Sequence, residues 1–174
     1  MSQWGAQGAA LMGKTYAQIL GFYYPGTNLS TLGGGRIKVL ITADNDNNLK
    51  VKATPGLKLV DTGRGKTYRL PTDRHQRAWK LKSVNGLTRV YYKTGRWHRY
   101  RPGGHATLTG AGQFKSANHR VVAKLPSGAV EYRGALRFTQ LDTVNVVGME
   151  SYLRGVVPAE AYTSWRPAAL QAQA

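Results

Sequence analysis

The chain has no cysteine. That excludes disulfides, thiolate-bound metals and a cysteine nucleophile, and leaves the redox compartment open. Carboxylates are scarce: 8 Asp plus Glu stand against 25 Lys plus Arg, for a formal net charge of +17. Any general acid must therefore come from a short list. Long apolar runs are missing as well, since no segment approaches the roughly 18 residues of a membrane span. The N-terminus lacks a basic start, an apolar stretch and a cleavage site, so it does not read as a signal peptide. Taken literally, these absences describe a soluble cytoplasmic chain, a reading displaced below.

The excess of positive charge calls for anionic surroundings. Nucleic acid, anionic membrane and anionic wall polymers all qualify, because a long-range field does not distinguish polyanions. With 174 residues, 41% of them hydrophobic, there is enough material for one ordinary domain with a packed core.

Periodicity divides that length in three. Residues 3–24 carry Leu11, Met12, Tyr16, Ile19, Leu20 and Tyr23 at helical spacing. Gly13 marks a break between two short helices and Pro25-Gly26 ends the second. TNLSTLGGG then reads as a linker. From Arg36 to Val147 the signal is one of short strands, among them RIKVLIT, LKVKA, LKLVD, KTYRL, AWKLKSV, LTRVYYK, RWHRY, HRVVAKL, AVEYRG, ALRFTQL and TVNVV. Turn-forming stretches such as DNDNN, TPG, TGRG, VNG, PGG and PSG separate them. After Val147 the helical period returns with Met149, Tyr152, Leu153, Val156 and Val157. Pro158 disfavours its continuation, and Pro167 starts another helix. The expected class is α+β: a β-rich body over 36–147, as a curved sheet, sandwich or partial barrel, flanked by helical segments at 1–27 and 148–174.

Several patterns invite a functional reading. GAALMGKT (Gly8 to Thr15) fits G-x-x-x-x-G-K-[ST], but a phosphate loop needs a hydrophobic strand feeding it, and here only seven residues precede. DNDNN resembles the start of a calcium loop, yet Leu49 replaces the glycine and Pro55 the glutamate that such a loop requires; a hairpin turn is expected. His75, His98, His105 and His119 lack ligand spacing, so neither a metal nor a cofactor is expected. Residues 64–101 hold 12 Lys/Arg and a single acid, Asp73, interleaved with Tyr68, Trp79, Tyr91, Tyr92, Trp97 and Tyr100. Such a stretch suits a single-stranded nucleic-acid groove, a sugar-binding face, or a half-buried sheet with rings inside and charges outside.

Among the eight acids, Asp44, Asp46, Asp61, Asp73 and Asp142 fall in or beside turns. Glu131 falls in a strand and Glu150 at a helix start. Glu160 lies between two helices, close to Val156, Val157, Tyr162 and Trp165. A carboxyl held among apolar groups has its neutral form favoured, which suits a proton donor.

Two stretches go beyond composition. TVNVVGMESYLRGVVPAE, followed by SW and AL.AQA, resembles the core motif of the SpoIID/LytB family. MSQWGAQGAALMGKTYAQILGFYYPGT resembles that family's second hallmark, here placed first, as in actinobacterial-type members. The resemblance implies one SpoIID/LytB-like domain over 1–174. It also implies that GAALMGKT is the helix after MSQWGA and agrees with a phosphate loop by coincidence. The activity implied is lytic transglycosylase-type cleavage of peptidoglycan glycan strands, or enhancement of a cell-wall amidase. Glu160 takes the position of the catalytic glutamate. Ser2 and Gln3 carry over as polar groups near the reacting sugar, and Tyr152 and Trp165 match motif positions that serve substrate contact or packing. Implied partners are glycan strands, a wall amidase and anionic wall polymers, with nucleic acid disfavoured. Ala161-Tyr162 replaces the family's Met-Pro and Ala168 an expected acid. The upstream G-H-G and the downstream end of the motif are missing, so the expectation is a piece of a longer exported protein.

Overall fold

A computed structural model describes residues 1–31, 33–44, 46–73 and 75–174. The chain forms two compact units: Met1–Gly35 together with Gly148–Ala174, and Arg36–Val147. The two ends of the sequence thus build one unit and the middle builds the other.

Among the described residues the middle unit forms twelve strands in two open antiparallel sheets. One sheet runs in the order β1 (Arg36–Leu40), β12 (Thr143–Gly148), β11 (Ala135–Phe138), β8 (Gly112–Lys115), β3 (Lys58–Asp61) and β4 (Lys66–Arg69). The other runs β10 (Gly128–Arg133), β9 (Arg120–Leu125), β2 (Asn48–Lys52), β5 (Ala78–Val84), β6 (Leu87–Lys93) and β7 (Trp97–Tyr100). Alternation along the strands sends one set of side chains inward. Leu49, Val51, Trp79, Leu81, Val90 and Val121 of one sheet meet Leu59, Phe114, Leu136 and Phe138 of the other in a single core. Of the three architectures expected, the sandwich is the one formed.

Turn chemistry sets the hairpins. Asn85 and Gly86 both take positive φ, 53° and 72°, between β5 and β6, as a two-residue turn matched to strand twist requires. The TGRG turn between β3 and β4 is organised by Asp61, whose side chain is fully buried. Its carboxylate accepts from the amides of Gly63, Arg64, Thr109 and Gly110 and pairs with the Arg64 guanidinium at 2.6 Å. Burial by itself would raise its pKa; those donors outweigh burial and hold the carboxyl below its ordinary 3.8. Gly63 and Gly110 let the two loops touch, since a Cβ on Gly110 would lie 2.5 Å from the Gly63 nitrogen.

One expectation fails here, and one strand appears that the sequence pattern does not signal. DNDNN is no hairpin turn: it joins β1 to β2, which belong to different sheets, although Asn45 lies outside the described residues. Strand β8 was not anticipated, because GQFK offers one large apolar residue after a glycine-rich approach. Its strand geometry comes from its neighbours β3 and β11, which pair with it on either side.

The other unit is helical: α1 (Gln3–Leu11), α2 (Tyr16–Tyr23), α3 (Met149–Glu160) and α4 (Pro167–Gln173). Thr15 and Gln18 form a reciprocal capping box at the start of α2, and Gly13, with φ of 80°, turns the chain between α1 and α2. The core of this unit is made of small residues. Ala6 and Ala10 of α1 and Ala169 and Ala172 of α4 gather with Ile19, Ala161 and Trp165. Helix α3 does not stop before Pro158 as expected; it continues to Glu160, and the Ala161 amide closes the last turn on the Val157 carbonyl at 2.9 Å. A proline this close to the C-terminal end forfeits a single helical hydrogen bond, to Arg154.

Candidate active site

Helix α3 delivers Glu160 as its last residue, so Glu160 does not lie between helices. Two anchors fix the chain just beyond it. Ala161 and Trp165 are buried in the alanine-rich core, and the Arg166 amide donates to the Gln7 side-chain carbonyl of α1 at 3.0 Å. The 161–166 connection is thereby tied against the start of α1, where the MSQWGA sequence lies.

Between these parts opens a cleft of about 480 Å³ lined by Gln3, Trp4, Pro158, Glu160, Tyr162 and Trp165 among others. Three rings cluster at it. Trp4 and Trp165 have centroids 5.0 Å apart, Tyr162 and Trp165 5.7 Å, and Trp4 and Tyr162 6.0 Å, all tilted. Trp165 is the buried base of the cluster, whereas Trp4 and Tyr162 are 68% and 63% exposed. Large rings left this open are costly in water and suit stacking against a flat apolar face.

The expected surroundings of Glu160 need correcting. Its side chain is exposed, and no hydrogen bond or ion pair engages it among the described residues. The apolar groups stand around the cleft and do not enclose the carboxyl. The other carried-over residues divide. Gln3 and Trp165 share the cleft with Glu160. Ser2 is the N-cap of α1, its Oγ accepting from the Gly5 amide at 3.1 Å, a structural duty that costs about 1 kcal/mol to lose. Tyr152 sits half-buried on α3, two turns before Glu160 and outside the cleft lining. Trp4 and Tyr162 join the cleft without a role expected from the sequence. Trp4 stands inside the MSQWGA hallmark, and Tyr162 lies two residues after Glu160 among its apolar neighbours, which are the signals available for them.

The remaining patterns resolve structurally. Gly8 to Leu11 is helix, the second half of α1, so GAALMGKT forms no strand-fed loop. Among the described residues no group of three or more His, Asp or Glu side chains comes together as a metal site. His98 instead stacks on Tyr92, with centroids 5.1 Å apart, and shares a hydrogen bond with Thr94. Among the described residues no helix is long and apolar enough to cross a membrane.

The cleft thus joins one carboxyl, Glu160, to two exposed rings and a buried one. The family follows from sequence. Residues 137–174, which hold α3, Glu160, Trp165 and α4, match the SpoIID family, described as stage II sporulation protein. The match covers the C-terminal 38 residues of the 174 and makes this segment similar to that family. No curated protein and no solved structure matches the chain.

Proposed function

We propose that the helical unit is a glycan-cleaving site of the lytic transglycosylase type, acting outside the cell on cell-wall peptidoglycan. The observation that carries this reading is the meeting of Glu160 with Trp4, Tyr162, Trp165 and Gln3 on one cleft. Sugar rings present C–H faces that stack on tryptophan and tyrosine, and Gln3 offers both a donor and an acceptor to hydroxyls. A sugar seated on the rings would displace water from the neighbouring carboxyl, which sharpens every polar interaction there.

One carboxyl suffices for the chemistry. Protonated Glu160 gives its proton to the glycosidic oxygen as the bond to muramoyl carbon 1 breaks. The carboxylate then takes the proton of the same sugar's carbon-6 hydroxyl, whose oxygen closes the 1,6-anhydro ring. The nucleophile belongs to the substrate, so the second carboxylate of ordinary glycoside hydrolases is unnecessary. That agrees with a cleft whose lining holds a single acid.

A second reading is a non-catalytic wall module that stimulates an amidase. It is favoured by the Glu160 carboxyl having no orienting partner among the described residues, since general acids are normally held in position. Incubation of purified, peptide-stripped glycan with the protein, followed by mass spectrometry, separates the two. Anhydro-muramoyl ends support the enzyme. Intact glycan together with accelerated release of stem peptides by an added amidase supports the module, and new reducing ends would contradict the intramolecular mechanism.

A further inference from the structure

The sheet of β10, β9, β2, β5, β6 and β7 buries one face in the core; its other face carries charge in register. Lys50, Lys80, Tyr91 and Arg99 stand directly opposite one another across β2, β5, β6 and β7. One row along, Asn48 faces Lys82, which faces Arg89. On the other side, Lys93 faces Trp97. The strands β2, β5, β6 and β7 contain no Asp or Glu at all.

Like charges directly opposite in a sheet are destabilising, and Lys50–Lys80 and Lys82–Arg89 are both such pairs. A fold keeps that cost where something outside the chain offsets it. Burial, then Lys82 and Lys50, push the Lys80 ammonium below its ordinary 10.5. Asp46 answers Lys50 and Glu131 answers Arg120. The Nε atoms of Arg89 and Arg99 are buried and find no acceptor among the described residues. Buried nitrogens are closed to an outside ligand, and Arg99 also donates through a terminal nitrogen to the Ala106 carbonyl; the remaining guanidinium nitrogens offer charged donors to phosphate oxygens.

The rings on this sheet decide which polyanion fits. Trp79, Tyr92 and Tyr100 turn inward, Trp79 within the core and the two tyrosines against it. Tyr91 and Trp97 turn outward, but cations already cover them. Lys80 Nζ lies 4.1 Å from the Trp97 centroid and 5.2 Å from that of Tyr91, with Lys93 and the Arg99 guanidinium within 6 Å of the same two rings. Such contacts are cation–π pairs. A single-stranded nucleic acid is gripped by open rings on which bases stack, and here those platforms are occupied.

We propose that this face binds a phosphodiester polymer without bases, the chemistry of an anionic wall polymer, and so holds the protein on the wall. The face belongs to the β unit and the glycan cleft to the helical unit, so either assignment can fail without the other.

Fluorescence anisotropy of the full chain against labelled poly(glycerol phosphate) and oligothymidylate of matched charge tests it. Lys80→Gln/Lys82→Gln/Lys93→Gln is expected to weaken binding to poly(glycerol phosphate) on the order of a hundredfold near 50 mM salt and to flatten the log–log salt slope by about 2. Lys14→Gln/Lys38→Gln/Lys66→Gln removes the same charge elsewhere and should cost several-fold at most. The exposed Lys82→Gln alone should weaken binding about fivefold, which keeps the test decisive if the triple variant melts early. Equal losses from the two triple variants would overturn the proposal. So would the absence of binding at 50 mM salt, or oligothymidylate binding as tightly as the base-free polymer.

Discussion

The two units solve the packing problem with different materials. The β unit fills its interior with Trp79, Phe114, Phe138 and a set of leucines and valines at or near zero exposure. The helical unit closes around alanines, one isoleucine and one tryptophan, and leaves Trp4, Leu11, Met12, Phe22 and Tyr162 open. Apolar area buried scales with stabilisation, so the β unit is the thermodynamic anchor. The helical unit gives up burial to keep rings available. Its α3 buries no side chain completely, and the residue that ends it is the proposed acid. The deep core and the proposed site thus lie in different units of the chain.

Substitutions can break that division. The largest effect is expected in the β core: Phe114→Ala leaves a cavity between the sheets and should cost about 3–5 kcal/mol, read as the shift in urea midpoint at unchanged slope. Asp61→Ala should follow at about 3 kcal/mol, because it removes the buried carboxylate that four backbone amides and the Arg64 guanidinium share. The Asp61 pKa is lowered in the folded protein. Its contribution is therefore fully present above the unfolded carboxyl value and is lost as pH falls through the folded value. Wild type should lose stability below about pH 4 while the alanine variant is flatter there, as parallel melts across pH would show.

In the helical unit the expected pattern reverses. Trp4→Ala removes a ring that is mostly in water, so unfolding should shift by less than about 1 kcal/mol. Binding of peptide-free glycan, followed by calorimetry, should weaken about tenfold through the lost stacking surface. A loss of stability as large as that of Phe114→Ala would dissolve the contrast between the units.

The smallest effect concerns Asp44, which is buried and accepts from the Thr143 hydroxyl. Burial, the dominant cause, raises its pKa above 3.8 despite that bond. A raised carboxyl favours folding at low pH, and this favour is lost as pH rises through the folded value. Asp44→Asn keeps an acceptor without the charge. It should stabilise slightly at pH 7, by under about 1 kcal/mol, and change nothing near pH 3, as thermal melts at both pH values would report.

Much of this arrangement is legible in the sequence where one rule acts locally. Strands β5 and β6 follow from alternation and the VNG turn, and the break at Gly13 follows from glycine in an otherwise helical period. What stayed hidden depends on distance along the chain. Strand β8 exists because β3 and β11 flank it. Asp61 reads as a turn residue, but its partners Thr109 and Gly110 come from a loop nearly fifty residues away. DNDNN carries hairpin chemistry and yet crosses between sheets. Pro158 was weighed as a stop by the preference of the residue before it, whereas the last turn of α3 tolerates it. At the cleft, the motif points to Glu160, while its exposure and the two open rings beside it depend on how the helices pack.

The central claim is that Glu160 performs chemistry and that the rings beside it perform binding. The most direct test is to follow wild type and Glu160→Gln on the same peptide-stripped glycan, with binding read by tryptophan fluorescence and cleavage by mass spectrometry. The account predicts that Glu160→Gln binds within about twofold of wild type, keeps its melting profile as an exposed substitution should, and forms no anhydro-muramoyl ends. Cleavage by Glu160→Gln at the wild-type rate would contradict it.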